Sequence, residues 1–427
     1  MTTTLDRNRN PELDLDIDFV RAQFPTFSEP SMRGQAFFEN AGGSYPCNAV
    51  IRRLNEYYRR LKVQPYYAYR ASTEAGEWME ATYARLAEYL GVASDEVHFG
   101  PSTSQNTYVL AQALRKVLKP GDEIIVTNQD HEANGGAWRR LAEGGITVNE
   151  WRVDGETGRL DPAQLDALLT ERTRLVAFPH CSNVVGHINP VAELTAKARA
   201  VGAVTVVDGV AFAPHGLPNV AELGADVYLF SLYKVYGPHQ GAMVVRRPLL
   251  DRLGNEGHVF NAPYPRKRLV PAGPDHAQIA AARGVAEYFD AVDAHHGGGD
   301  VAGRPKRVRE LFRGAEVALL PRVLDFLTAH EHVRLLGPSN ARERAPTVSF
   351  VPYLGEPERI AAKLAERGIM AAHGHFYALR LLEAMGVDGS RGVVRVSFVH
   401  YTSPGEIAQL LEALDGALSP GEGGRFE

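Results

Sequence analysis

Lys234 stands in the stretch Ser231-Leu232-Tyr233-Lys234-Val235-Tyr236-Gly237-Pro238, and upstream of it the apolar run Val206-Val207 ends on Asp208. A lysine that can form an imine and an aspartate that can hold a pyridinium nitrogen are the two groups that pyridoxal phosphate (PLP) chemistry requires. The imine needs a neutral amine, because an ammonium cannot attack an aldehyde, so Lys234 must sit in a dry setting. Other polar residues recur in the same pattern. Glu123–Thr127 is followed by Asn128, Asp130 and His131, and Leu175–Phe178 by His180, Ser182 and Asn183. Val204–Val207 is followed by Asp208, and Val227–Phe230 by Ser231 and Lys234. Any one cluster could be a turn or a helix cap. Four successive ones argue for a site.

The apolar runs that carry these clusters are continuous rather than alternating. That predicts strands of a parallel sheet covered on both faces. Helix-like segments lie near them at Thr107–Leu118, Gly136–Glu143, Pro162–Leu169 and Val191–Val201, with Pro162 and Pro190 suited to helix starts. The pattern is α/β, and in open α/β sheets ligands bind beyond the carboxyl ends of the strands, where the polar clusters fall. The division expected is an N-terminal arm over 1–34, frayed from Met1 to Pro25, a large domain over 35–290, a smaller α+β domain over 305–420 and a disordered tail over 421–427. The run His295-His296-Gly297-Gly298-Gly299 is read as a flexible solvated turn at the boundary rather than a metal site.

The 427-residue chain is 44% hydrophobic and 23% charged, the balance of a globular protein of more than one domain. It has no apolar stretch of membrane-spanning length and no signal-like core near its start, so a cytoplasmic protein is expected. A net charge of −5 without a long basic run argues against nucleic acid as a partner. Two cysteines, Cys47 and Cys181, do not suggest a disulfide framework.

Several motifs occur in a set order: Phe38-Glu39-Asn40-Ala41-Gly42-Gly43, Asp130-His131-Glu132-Ala133-Asn134, Cys181-Ser182-Asn183-Val184-Val185-Gly186, Val207-Asp208-Gly209, the Lys234 stretch, and Arg395-Val396-Ser397-Phe398-Val399-His400-Tyr401. Together they resemble the class V aminotransferase group of fold-type I PLP enzymes, in particular its cysteine desulfurase-like branch. The resemblance implies a large domain with a mainly parallel seven-stranded sheet, a homodimer, and chemistry on an amino acid through an external aldimine and a quinonoid. Lys234 would carry the cofactor and Asp208 would pair with its ring nitrogen. His131 would stack on the ring and, with Lys234, move protons. Asn183 would contact the ring oxygen. Thr103, Ser104, Gln105, Ser231 and Tyr233 would hold the phosphate, at a helix start suited to anions. Arg395 would clamp the substrate carboxylate through a two-pronged contact, with Asn40, Tyr377 and His375 around the substrate.

The departures matter as much. Cysteine desulfurases carry sulfur as a persulfide on a mobile-loop cysteine, and Tyr377 in His373-Gly374-His375-Phe376-Tyr377 aligns with that cysteine. A phenol cannot form a persulfide, so a lyase or aminotransferase without persulfide chemistry is expected; an epimerase and a non-catalytic scaffold are the alternatives. Ala211, Tyr233 and Pro274 replace a glutamine, a histidine and a threonine that hold the cofactor in relatives. Tyr66, Tyr67, Tyr69 and Arg70 correspond to a segment lining the active-site entrance there.

Overall fold

The computed structural model describes residues 14–419; the tail over 421–427 and the first part of the arm lie outside the described residues. A seven-stranded sheet forms the centre of the large domain. Its strands are β1 (Val97–Gly100), β2 (Glu123–Thr127), β3 (Thr147–Trp151), β4 (Thr173–Pro179), β5 (Val204–Asp208), β6 (Val227–Ser231) and β7 (Gly241–Val245), in the order β1-β7-β6-β5-β4-β2-β3. All pairings are parallel except those of β7, which runs antiparallel to both β6 and β1. Every residue of β2, β5, β6 and β7 is buried, which accounts for their unbroken apolar runs. Helices cover both faces, among them Arg70–Leu90 and His276–His295 on one side and Thr103–Arg115 on the other.

Two helix starts precede the predicted ones. The helix expected from Thr107 begins at Thr103, because Ser102 caps it by accepting from the Gln105 N–H. The helix expected from Gly136 begins at Glu132, with His131 as its cap accepting the Ala133 N–H on Nδ1. Histidine is not a usual capping residue, so nothing in the local pattern marked that start.

The smaller domain has an antiparallel four-stranded sheet of β8 (Val333–Leu336), β9 (Thr347–Pro352), β10 (Ala372–Gly374) and β11 (Val393–Ser397), in the order β10-β11-β9-β8. The helices Arg304–Ala329, Pro357–Glu366 and Pro404–Leu418 pack on it. Ala36–Phe37, expected at the start of the large domain, instead pairs with Ile369–Met370, and Ala36 and Phe38 are buried in the small domain's core. No helix among the described residues is long and apolar enough to cross a membrane.

The arm is not frayed from Leu15 onward. Asp16 caps the helix Ile17–Ala22, and Val20 and Phe24 are fully buried. Phe24 meets Tyr236, Tyr288 and Tyr401 edge-on at 5.7, 5.1 and 4.9 Å between centroids. The His295-His296 turn, expected to be free in solvent, is where this arm docks. Phe19 stacks on His295 at 3.8 Å, His295 Nε2 lies 2.8 Å from Asp16 Oδ2, and His296 Nε2 accepts the Asp16 N–H at 2.8 Å. These partners lie about 280 residues apart in sequence, beyond any local pattern.

Candidate active site

The carboxyl ends of β2, β4, β5 and β6 converge on one cavity. It is lined by Ser102, Thr103, Ser104, His131, Cys181, Asn183, Asp208, Ala211, Ser231, Tyr233, Lys234 and His239, among others. β11 and the loop after β10 bring Arg395, Phe376 and Tyr377 from the small domain against Asn183 and His131 on the cavity wall, so the site lies where the two domains meet.

Lys234 follows β6 on a short 3-10 turn and is 8% exposed. Burial lowers its ammonium to about 8; Arg395 adds to this, while Asp208 and Glu39 oppose it. Asp208 ends β5 and is equally buried, which raises its carboxyl above the usual range; the Val210 N–H donating to Oδ1 at 2.9 Å and the Lys234 charge partly offset that. Its carboxylate thus sits in a dry place with a single hydrogen bond among the described residues, a setting a cationic ring nitrogen would complete.

His131 is held near 3 by burial and by the cations Lys234 and Arg395. The ring is therefore neutral, and because Nδ1 accepts the Ala133 N–H its proton resides on Nε2. At neutral pH it presents a donor on Nε2, and Lys234 is the stronger base. Just before it, Asp130 accepts from Thr127 and from Asn134 at 2.8 Å, and Asn134 in turn accepts from Trp138 at 3.1 Å. Burial pushes Asp130 up to about 7. This network anchors the backbone that carries His131.

The phosphate end has a recognisable shape. The Thr103 and Ser231 hydroxyls lie 2.7 Å apart at the start of a 13-residue helix. β7 backs this turn closely: a Cβ on Gly241 would fall 2.3 Å from the Ser102 carbonyl carbon and 2.5 Å from the Thr103 nitrogen, so only glycine fits there. Ser104 lines the cavity. Gln105, expected among the phosphate ligands, is exposed and off the cavity wall, and its N–H is taken by Ser102. Tyr233 stacks on His239 at 4.6 Å with rings 7° from parallel, making His239 a cavity residue that no sequence motif had marked.

Arg395 is 3% exposed. Nη1 donates to the Asn183 carbonyl at 3.0 Å, Nη2 to Glu39 Oε1 at 2.7 Å, and the guanidinium lies 3.7 Å over the Phe376 ring. Asn183 donates through Nδ2 to the Phe376 carbonyl at 2.8 Å, and its buried Oδ1 has no partner. Phe376 and Tyr377 both take left-handed backbone conformations, φ 48° and 57°, which side-chain-bearing residues rarely adopt. The Tyr377 carbonyl accepts from the Glu132 N–H at 2.7 Å. The loop that resembles the thiol-bearing one is therefore pinned to the large domain. Tyr377 lies at the mouth, 67% exposed, its ring 5.1 Å from His131.

The remaining residues singled out by the sequence have their own surroundings. Asn40 donates its amide to the Phe37 and Ser397 carbonyls and accepts from the Tyr401 hydroxyl, bracing the domain junction, and it borders a small cavity that Lys234 and Ala211 also line. His375 is exposed and accepts the Tyr377 N–H on Nδ1, shaping the loop and not the cavity wall. Tyr66 and Pro274 line a separate surface groove of about 630 Å³ with Glu80, Tyr83 and Arg266. Cys181 borders the cavity, but its thiol donates inward to the Gly186 carbonyl at 3.1 Å and burial pushes it up to about 12. Cys47 is likewise buried and pushed up to about 11.

A buried lysine and a buried aspartate on neighbouring strand ends, beside a helix start with paired hydroxyls, define an α/β enzyme of the fold-type I class. The sequence model of the aminotransferase class-V family matches residues 36–264 and 313–410. The chain belongs to that family, whose members depend on PLP. It is similar to the aminotransferase-like protein FGM3 of Gibberella zeae, 35% identical over 94% of this chain and 98% of that one. It is 30% identical to a cysteine desulfurase of Pectobacterium carotovorum subsp. carotovorum, over 93% of this chain and 97% of that one. Among solved structures, the apo cysteine desulfurase of Thermococcus onnurineus NA1 superposes with a TM-score of 0.81 at 25% identity, covering 95% of this chain and 98% of that one.

The residues present fit the family's cofactor. Lys234 supplies the amine, Asp208 a buried carboxylate with one hydrogen bond among the described residues, the Thr103–Ser104 turn with Ser231 the phosphate seat, and Asn183 a buried amide with unspent hydrogen-bonding capacity. Ala211 lines the cavity wall without closing it.

Proposed function

We propose that this chain binds PLP covalently at Lys234 and acts on an amino acid, as a lyase or aminotransferase that does not use a persulfide. The observation that carries the reading is the Lys234 amine, buried between Asp208 and Arg395 and shifted toward its neutral form. When bound, the cofactor supplies an electron sink for charge developing at the substrate carbon. Asp208 keeps that sink cationic, and the buried setting makes its charge effective. Arg395 takes the substrate carboxylate, Phe376 fixing the guanidinium plane from below. Lys234 would be the base that takes a proton from the substrate carbon and the acid that returns it. His131 covers the site and donates through Nε2. Against persulfide chemistry stand Tyr377 at the aligned loop position and two thiols that burial keeps protonated.

A homodimer is part of this reading. Val259, Phe260, Tyr264, Tyr66 and Tyr67 are large and exposed, and Tyr264 and Tyr66 line the groove with Pro274, an apolar surface suited to a second copy.

The test is Lys234→Ala. The variant should fold, as judged by its melting curve, and should show no borohydride-fixable PLP and no turnover in a screen of amino acids. PLP still fixed at its normal site in that variant rules the assignment out.

A further inference from the structure

The carboxylate clamp already holds a carboxylate. Glu39 Oε1 receives Arg395 Nη2 at 2.7 Å, and Glu39 Oε2 receives the Gly42 N–H at 2.9 Å. The seat is shaped for it: a Cβ on Gly42 would lie 2.1 Å from Oε2, so a side chain at 42 would expel the carboxylate. The guanidinium is otherwise fixed by the Asn183 carbonyl and the Phe376 ring, and its Nε is buried without a partner. Nε and Nη2 form one planar edge of an arginine, the edge that grips a carboxylate with two parallel bonds. Glu39 occupies one prong and leaves the other empty.

We infer that Glu39 is a resident competitor in the substrate-carboxylate subsite and determines which amines the enzyme accepts. The inference rests on Arg395 being that subsite. An incoming α-carboxylate must drive Glu39 off Nη2 before it can use both prongs. An amine lacking a carboxylate leaves the Arg395–Glu39 pair intact and enters without that exchange. The Glu39 side chain is a quarter exposed, so it has a solvent side into which to swing. The chain thus discriminates less strongly for α-amino acids over simple amines than Arg395 alone would.

The experiment titrates the holoenzyme with L-alanine and with ethylamine, its carboxylate-free counterpart, and reads binding from the absorbance of the bound cofactor rather than from turnover. Glu39→Gln should tighten L-alanine about 10- to 100-fold, the range for one charged hydrogen bond, and leave ethylamine unchanged. Glu39→Ala, which removes the competing oxygen altogether, should act in the same direction and at least as strongly. Arg395→Ala should weaken L-alanine and not ethylamine. If Arg395→Ala discriminates between the probes but neither Glu39 variant does, or if the Glu39 variants shift both probes equally, the inference is overturned while the Arg395 assignment stands. If Arg395→Ala does not discriminate, the assignment of Arg395 fails and the inference with it. Cofactor content and melting temperature, measured on each variant, separate these results from misfolding.

Discussion

Covalent capture of PLP at Lys234 should follow a titration centred near pH 8, far below that of a free lysine. Burial and the Arg395 cation bring the ammonium down from an ordinary 10.5 to about 8. At pH 7 roughly one amine in ten is then neutral, against roughly one in 3,000 for an unperturbed lysine, a gain of about 300-fold in reactive amine. The assay strips the cofactor, mixes the protein with PLP over a range of pH, fixes the adduct with borohydride and counts it by mass spectrometry. Rates are normalised to a free amine of known pKa, so that titration of the aldehyde cancels. Below the midpoint the neutral fraction should rise about tenfold per pH unit, and above about pH 8.5 it should level off. Two variants fix the cause by sign. Arg395→Ala removes a cation that disfavours the ammonium, so the midpoint should move up. Asp208→Asn removes an anion that favours it, so the midpoint should move down. A neutral fraction still climbing past about pH 9.5, or a shift of both variants in one direction, would refute the reasoning.

Asp208→Asn should also lower kcat by roughly 10²–10⁴-fold, about 3–5 kcal/mol, with the melting temperature little changed, because a neutral amide cannot hold the ring nitrogen protonated; a near-wild-type kcat removes Asp208 from the site. The double variant Cys47→Ala, Cys181→Ala should keep most of its activity on the true substrate; loss of turnover with cofactor content and folding intact would return the protein to desulfurase chemistry. Phe24→Ala should destabilise the fold by about 3–5 kcal/mol in chemical denaturation, since Phe24 is fully buried against Tyr236, Tyr288 and Tyr401; a loss below about 1 kcal/mol would mean the arm is only loosely docked.

The amino-acid sequence by itself determined the sheet strands that carry the site and which polar residues stand at their ends. Those strands are buried on both faces, so their apolar runs are unbroken and stop where the chain leaves the sheet, which is why Asp208 and Lys234 could be picked out from pattern alone. Tyr377 in place of a thiol was equally visible, because chemical identity needs no geometry. Tertiary structure decided what long-range contacts decide. The pairing of Glu39 with Arg395 joins residues 356 positions apart, and no local rule relates them. The Asn40 motif could not show that its amide braces the domain junction through Phe37, Ser397 and Tyr401. The arm looked frayed because a short acidic segment has little propensity to fold alone; it folds because Phe24 finds an aromatic pocket and Asp16 finds His295 and His296. Hydrophobic periodicity and residue type act locally, whereas a buried charge is settled by whichever partner the fold brings within reach.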